Sequence, residues 1–214
     1  LWADEVASLP PVRLLSGKPK PTAMLAGLHA SFDAVCFVGY HSKAGTENGV
    51  LCHSFTETVY DLRVNGRSLG EAGINAAYAS TELGVPVVYA SGDAALCREI
   101  RGLIPAIRTV ETKEGLSFQA ALNRPVNDVL GDMDATMRAT LADRAGWGAC
   151  HLKIDGPYTV EMDFIAPVYA DIAALMPGNR RNGGCGIAFE CETFRQVYMG
   201  IQATYSLIAY QKTL

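Results

Sequence analysis

The sequence predicts an α/β protein with mixed sheets flanked by helices. Short apolar runs are bounded by Gly or turn residues, as buried strands are. Helical patterns fall between those runs, which is the alternation of an α/β chain. The composition is that of an ordinary globular protein, 49% hydrophobic and 19% charged over 214 residues. That length serves one domain over 1–214 or two lobes, 1–114 and 128–214, with Gly115 to Asn127 as the linker.

Taken in order, Thr22 to Ser31 reads as a helix after Lys18-Pro19-Lys20-Pro21. Ala34 to Val38 is an apolar run ending at Gly39, hence a buried strand. His41 to Gly49 is polar and contains glycine, hence loop. Thr58 to Val64 alternates, with Val59, Asp61 and Arg63 on one face and Tyr60, Leu62 and Val64 on the other. Asn65-Gly66 then makes a hairpin turn. Glu71 to Glu82 is a helix of small residues that can approach its neighbours closely. Val85 to Ala90 is β-branched and apolar, a second buried strand, and Asp93 can cap the helix Ala94 to Gly102. Thr109 to Thr112 is a further strand.

Asn127 to Arg144 is helical, with Val129, Leu130, Met133, Met137 and Leu141 on one side. Tyr158 to Phe164 alternates as a strand, Val168 to Leu175 is helical, and Ile187 to Cys191 is a strand after the Asn182-Gly183-Gly184 turn. Thr193-x-x-Gln196 is a capping box. The helix it opens carries Phe194, Val197, Tyr198, Ile201, Tyr205 and Ile208 on one core-facing stripe.

Net charge is −4, with no basic stripe, which argues against a nucleic-acid partner. No run reaches the length of a membrane span; Gln202, Thr204 and Ser206 interrupt the longest, Val197 to Tyr210. Six scattered cysteines with no C-x-x-C pair point to a reducing, cytoplasmic setting.

Two of the four histidines, His41 and His53, sit in Gly-flanked loops, and Glu71 opens a helix after Gly70. Imidazole plus carboxylate is the ligand set of a hydrolytic Zn²⁺ or Mn²⁺ site. Each residue also has an ordinary reading: a hydrogen-bonded structural histidine for His41, a first-turn glutamate on a helix dipole for Glu71, a polar loop residue for His53. His29 and His151 read as structural.

The run Val64-Asn-Gly-x-x-x-Gly-Glu-x-Gly-Ile-Asn-Ala76, together with Gly39-Tyr-His41 and Gly49-Val-x-x-His-Ser54, resembles the M55 family of D-aminopeptidases, of the DppA type. Val85-Pro-Val-Val88, Gly92-Asp93, Leu103-Ile-Pro105, Lys113 and Leu175-Met-Pro-Gly178 extend the resemblance over essentially the whole chain. It implies a two-zinc metallopeptidase that releases N-terminal D-residues, typically D-alanine, from short peptides. It also implies a ring-like homo-oligomer, a decamer in the family.

By motif, the resemblance makes His41 and Glu71 metal ligands and His53 the catalytic histidine. Acid/base work by His53 is the favoured chemistry, with a nucleophilic role left open. Asn75, one turn after Glu71, either faces the site or bonds locally. Lys113 either neutralises a substrate carboxylate or is solvated. The family's opening Asp-x-Glu strand and later Ser-His pair have no counterpart after Leu1, and Ala94 replaces a frequent second Asp. The resemblance therefore implies an upstream segment carrying further ligands; without it the chain is expected to be inactive, with an open sheet edge. The other readings are a non-catalytic, peptide-binding relative and an amidase acting on another small amide.

Overall fold

In the computed structural model, residues 12–211 are described. Two sheets organise them. The first runs β1 (Val35–Tyr40), β4 (Val87–Asp93), β5 (Arg108–Ser117), β6 (Ala120–Asn123), with β1, β4 and β5 parallel and β6 antiparallel. The second is antiparallel, in the order β3 (Arg67–Ser68), β2 (Val59–Val64), β7 (Tyr158–Phe164), β9 (Gly186–Cys191), β8 (Arg180–Arg181). The helices are α1 (Glu71–Ala77), α2 (Ala94–Leu103), α3 (Val126–Ala142), α4 (Pro167–Ala173) and α5 (Phe194–Gln211). The predicted mixed α/β class is what is found. The sheets do not follow the chain order of the two proposed lobes, since β2 and β3 join the second sheet.

Local chemistry accounts for most elements. β4 is buried along its whole length, as its unbroken Val87-Val88-Tyr89-Ala90 run requires. β7 alternates, burying Tyr158, Val160, Met162 and Phe164. Asn65 and Gly66 both take positive φ, 51° and 76°, as a two-residue hairpin turn demands. The capping box is reciprocal: Gln196 N donates to Thr193 Oγ1 at 3.2 Å, and Thr193 N donates to Gln196 Oε1 at 3.0 Å. After α1 the helix widens into a π turn over Tyr78–Glu82. There Ser80 Oγ and Thr81 Oγ1 accept the Leu152 and Ile154 amides.

Several expectations are corrected. Residues 22–31 form only a short 3-10 turn, Ala23–Leu25, because Ala23 (φ 41°) and Gly27 (φ 87°) leave the helical region. β1 is a strand but an edge strand among the described residues, so Cys36 and Val38 are exposed while Phe37 is buried. In β2 a register shift between Val59 and Asp61 puts Val59 on the buried face and Tyr60 in solvent. Residues 115–123 are not a linker; they complete the β5–β6 hairpin. On α3, Leu130 and Leu141 are exposed rather than core.

Candidate metal centre

The carboxyl ends of β1 and β4 and the N-terminus of α1 converge on one corner. Ligands in open parallel sheets gather at such strand ends. His41 follows the last residue of β1, and Glu71 is the first residue of α1. His53 lies in the loop between β1 and β2. The ligand atoms of His41, His53 and Glu71 all fall within 4.8 Å of one another.

Glu71 Oε1 is the shared point. It stands 3.6 Å from His41 Nε2 and 3.2 Å from His53 Nε2, and it accepts the Phe55 amide at 2.7 Å. The two imidazoles stack at 4.0 Å between centroids and 20° between planes. Each ring faces a backbone carbonyl with its other nitrogen: His41 Nδ1 meets Ser42 O at 3.0 Å, and His53 Nδ1 meets Leu51 O at 2.8 Å. A carbonyl only accepts, so both Nδ1 atoms carry hydrogen and, in the neutral rings, both Nε2 lone pairs turn toward a carboxylate. Lone pairs and an anion at that range need a cation among them. A proton meets the need in part: the hydrogen bond to Glu71 raises the His53 pKa above its ordinary value, against burial, which lowers it. Two imidazole nitrogens and a nine-tenths-buried carboxylate are equally a zinc donor set.

The loop that carries both histidines is fixed by distant carboxylates. Asp93 caps α2 through the Leu96 amide at 2.8 Å and accepts the Val50 amide at 2.7 Å with its other oxygen. Glu99 accepts the Lys43 amide at 2.8 Å. Leu51 (φ 51°) and Phe55 (φ 63°) bracket His53 in left-handed conformation, which is uncommon for such residues. Those two kinks aim Leu51 O at the His53 ring and Phe55 N at Glu71. A side chain at Gly70 would lie 2.6 Å from Lys43 Cβ, so the turn before Glu71 needs glycine to lie against this loop.

Asn75 is buried, and its amide is taken up on both sides. It donates to Tyr40 Oη at 3.1 Å and accepts from Tyr198 Oη at 2.9 Å. Burial pushes the Tyr40 phenol up to about 12, so it stays a neutral donor and acceptor behind the site. Lys113 sits on β5, in register with Asp93, and lines neither cavity that reaches His53. Asp93 is the predicted cap and, unforeseen, a clamp on the loop. Tyr40, Phe55, Tyr198 and Glu99 were also unforeseen; each acts through a contact far along the chain, for which sequence spacing holds no signal. His29 is exposed and bonded to Ser31, and His151 lies elsewhere, partly buried.

The sequence matches the profile of the peptidase M55 family, described as D-aminopeptidase, over residues 5–203. A D-aminopeptidase of Bacillus subtilis (strain 168) is 28% identical over 204 residues, 90% of this chain and 69% of that protein. The fold is similar to the solved Zn-dependent D-aminopeptidase DppA from Bacillus subtilis, a self-compartmentalizing protease. The TM-score is 0.88 at 28% identity, covering 93% of this chain and 72% of that one.

Proposed function

The chain belongs to the M55 family of D-aminopeptidases, and on that premise we propose that it is a zinc-dependent hydrolase releasing N-terminal D-residues of D-alanine type from short peptides. The observation that carries this reading is the convergence of His41 Nε2 and His53 Nε2 on Glu71 Oε1, with both Nδ1 atoms committed to carbonyls. Zinc, once bound, supplies Lewis-acid activation of water and of the scissile carbonyl. His41 and Glu71 hold it, and the Phe55 amide keeps the Glu71 carboxylate in place. His53, about a third exposed, takes the proton of the attacking water on Nε2 and gives it to the leaving amine. The backbone bond at its Nδ1 fixes the tautomer for that task.

The complete site, in this reading, holds two zinc ions. Asn75 acts as a support through Tyr40 and Tyr198. The working form is a ring-like homo-oligomer. Exposed Leu116, Leu122, Val126 and Leu130, on the β5–β6 hairpin and α3, support it as apolar surface awaiting a partner copy. Light scattering of the purified protein tests it. The six cysteines are free, consistent with a cytoplasmic setting. No helix among the described residues is long and apolar enough to cross a membrane.

The deciding experiment compares D-Ala-D-Ala with L-Ala-L-Ala, with and without chelator. Cleavage of the D-peptide alone, lost to chelator and restored by Zn²⁺, is the expected result. Neither peptide being cut by folded, zinc-loaded protein would sink the peptidase reading and leave a binding role or another amide.

A further inference from the structure

His41 and Glu71 reach the metal centre from different sheets. His41 follows β1 of the first sheet, whereas Glu71 follows the β2–β3 hairpin of the second. The two sheets share no strand pairing among the described residues. The distance between these ligands therefore depends on what ties one chain segment to the other.

Lys43 is such a tie. Two residues beyond His41, its amide donates to Glu99 Oε2 at 2.8 Å, on α2. Its ammonium donates to Ser68 Oγ at 2.6 Å, on β3 and three residues before Glu71. Ser68 donates onward to Asp61 Oδ1, and Asp61 pairs with Arg63, which also pairs with Glu161 and Asp163. The loop of His41 is thereby fastened to a row of charges on β2 and β7.

Glu99 closes the joint from the other side. Its Oε1 lies against Gly70, the residue before Glu71: a Cβ there would come within 2.9 Å of Oε1 and 2.6 Å of Lys43 Cβ. Oε1 is shielded from water and completes no hydrogen bond among the described residues. Burial raises the Glu99 pKa, while the Lys43 and Gly70 amides lower it. A buried carboxylate oxygen without a partner costs stability. Its place accounts for it, since this one group touches the segment that carries each ligand.

We infer that Lys43 and Glu99 are positioning residues for the metal centre, which together set the separation of His41 and Glu71. The inference rests on the zinc-hydrolase reading and adds what holds its donors ready for one ion. Donors fixed in place by the fold bind more tightly than donors that must first be brought together.

The test measures zinc affinity of the purified protein by competition with a chromophoric chelator. It also records visible absorption of the cobalt-loaded form, which reports ligand geometry. Affinity should fall about tenfold in Glu99→Ala, the low end of what loss of an outer partner costs, and the cobalt bands should shift. Glu99→Gln keeps an acceptor for the Lys43 amide and should bind zinc more tightly than Glu99→Ala. Lys43→Met cuts the tie to Ser68 and should also weaken zinc; it carries the test where Glu99→Ala does not fold. Met162→Ala, in the core of the second sheet, is the control, lowering stability without reaching the joint. It should keep both the affinity and the bands. Unchanged affinity and bands in the folded Glu99 and Lys43 variants, or an equal loss in Met162→Ala, overturns the inference. If the unmodified protein takes up neither metal, the zinc reading fails, and histidine side-chain NMR decides on the joint. Shifts of His41 and His53 in whichever variant folds, with His29 and His151 unmoved, then uphold it; four unmoved histidines overturn it.

Discussion

The antiparallel sheet and the 41–55 loop are built on opposite plans. In the sheet, β7 buries every second residue, and Val160, Met162 and Ile187 have no solvent exposure. Many dispersed apolar contacts hold it. The loop instead hangs on a few directed bonds, from the Val50, Lys43 and Phe55 amides to Asp93, Glu99 and Glu71. Stability resides in the first region and chemistry in the second. A change in the sheet should lower stability and spare metal affinity, while a change at the loop should do the reverse.

Glu71→Gln gives the largest effect. The amide oxygen can still accept from Phe55 N, but the anion facing two imidazoles is gone. Zinc binding should weaken by more than the roughly 10–100-fold that loss of an outer partner costs. Activity should drop to background, and the rise in Tm on adding zinc should vanish. Metal analysis and a melt with and without zinc read this directly. His53→Ala comes next: turnover should fall about 10²–10⁴-fold, the range of a lost acid/base group, with zinc content nearly intact. Loss of zinc and turnover together would make His53 a ligand instead.

Met162→Ala attacks the other region. A fully buried methionine at the centre of β7 leaves a cavity, costing about 2–5 kcal/mol by denaturant titration. Zinc affinity of the folded protein should not change. Asp93→Ala crosses between the two regions, because one carboxylate caps α2 and clamps Val50. It should cost about 2 kcal/mol and also weaken zinc binding, as the loop loses an anchor. Asp93→Asn, which can still cap, should recover much of the stability. If Asp93→Ala moves stability alone, the loop is held without it, and the division between the regions is sharper than drawn.

The same contrast explains what the sequence made legible. Alternation shows β7, and the Thr193–Gln196 pair shows the start of α5, because both signals are local and periodic. The family motifs single out His41, His53 and Glu71, and the structure brings the three together. The clamps join residues 43 and 56 positions apart, Val50 with Asp93 and Lys43 with Glu99, where no period exists to detect. The segment 115–127 reads as the linker between two lobes. Pairing with β5, itself decided by tertiary contact, turned part of that segment into a strand. Residues 22–31 failed for the opposite reason: their local helical pattern is overridden by positive φ at Ala23 and Gly27 as the segment folds against α5.

The smallest predicted effect is the dependence of the metal-free protein on pH. The Glu71 hydrogen bond raises the His53 pKa in the folded state above its ordinary value near 6.5. Protonated His53 then stabilises the fold, and a raised folded pKa means that this contribution is complete below the ordinary value. It is lost as pH rises through the folded pKa. With the ring about a third exposed, the gain should stay below about 1 kcal/mol. Metal-free protein and its His53→Gln variant should therefore differ most in Tm below the ordinary histidine value and converge as pH rises through the folded pKa. Zinc should oppose the trend, because it binds the neutral His41 imidazole and is displaced by protons as pH falls. A gap between the two melts that is flat with pH would mean that His53 does not take up its proton against Glu71. The loop would then be held by its backbone clamps alone.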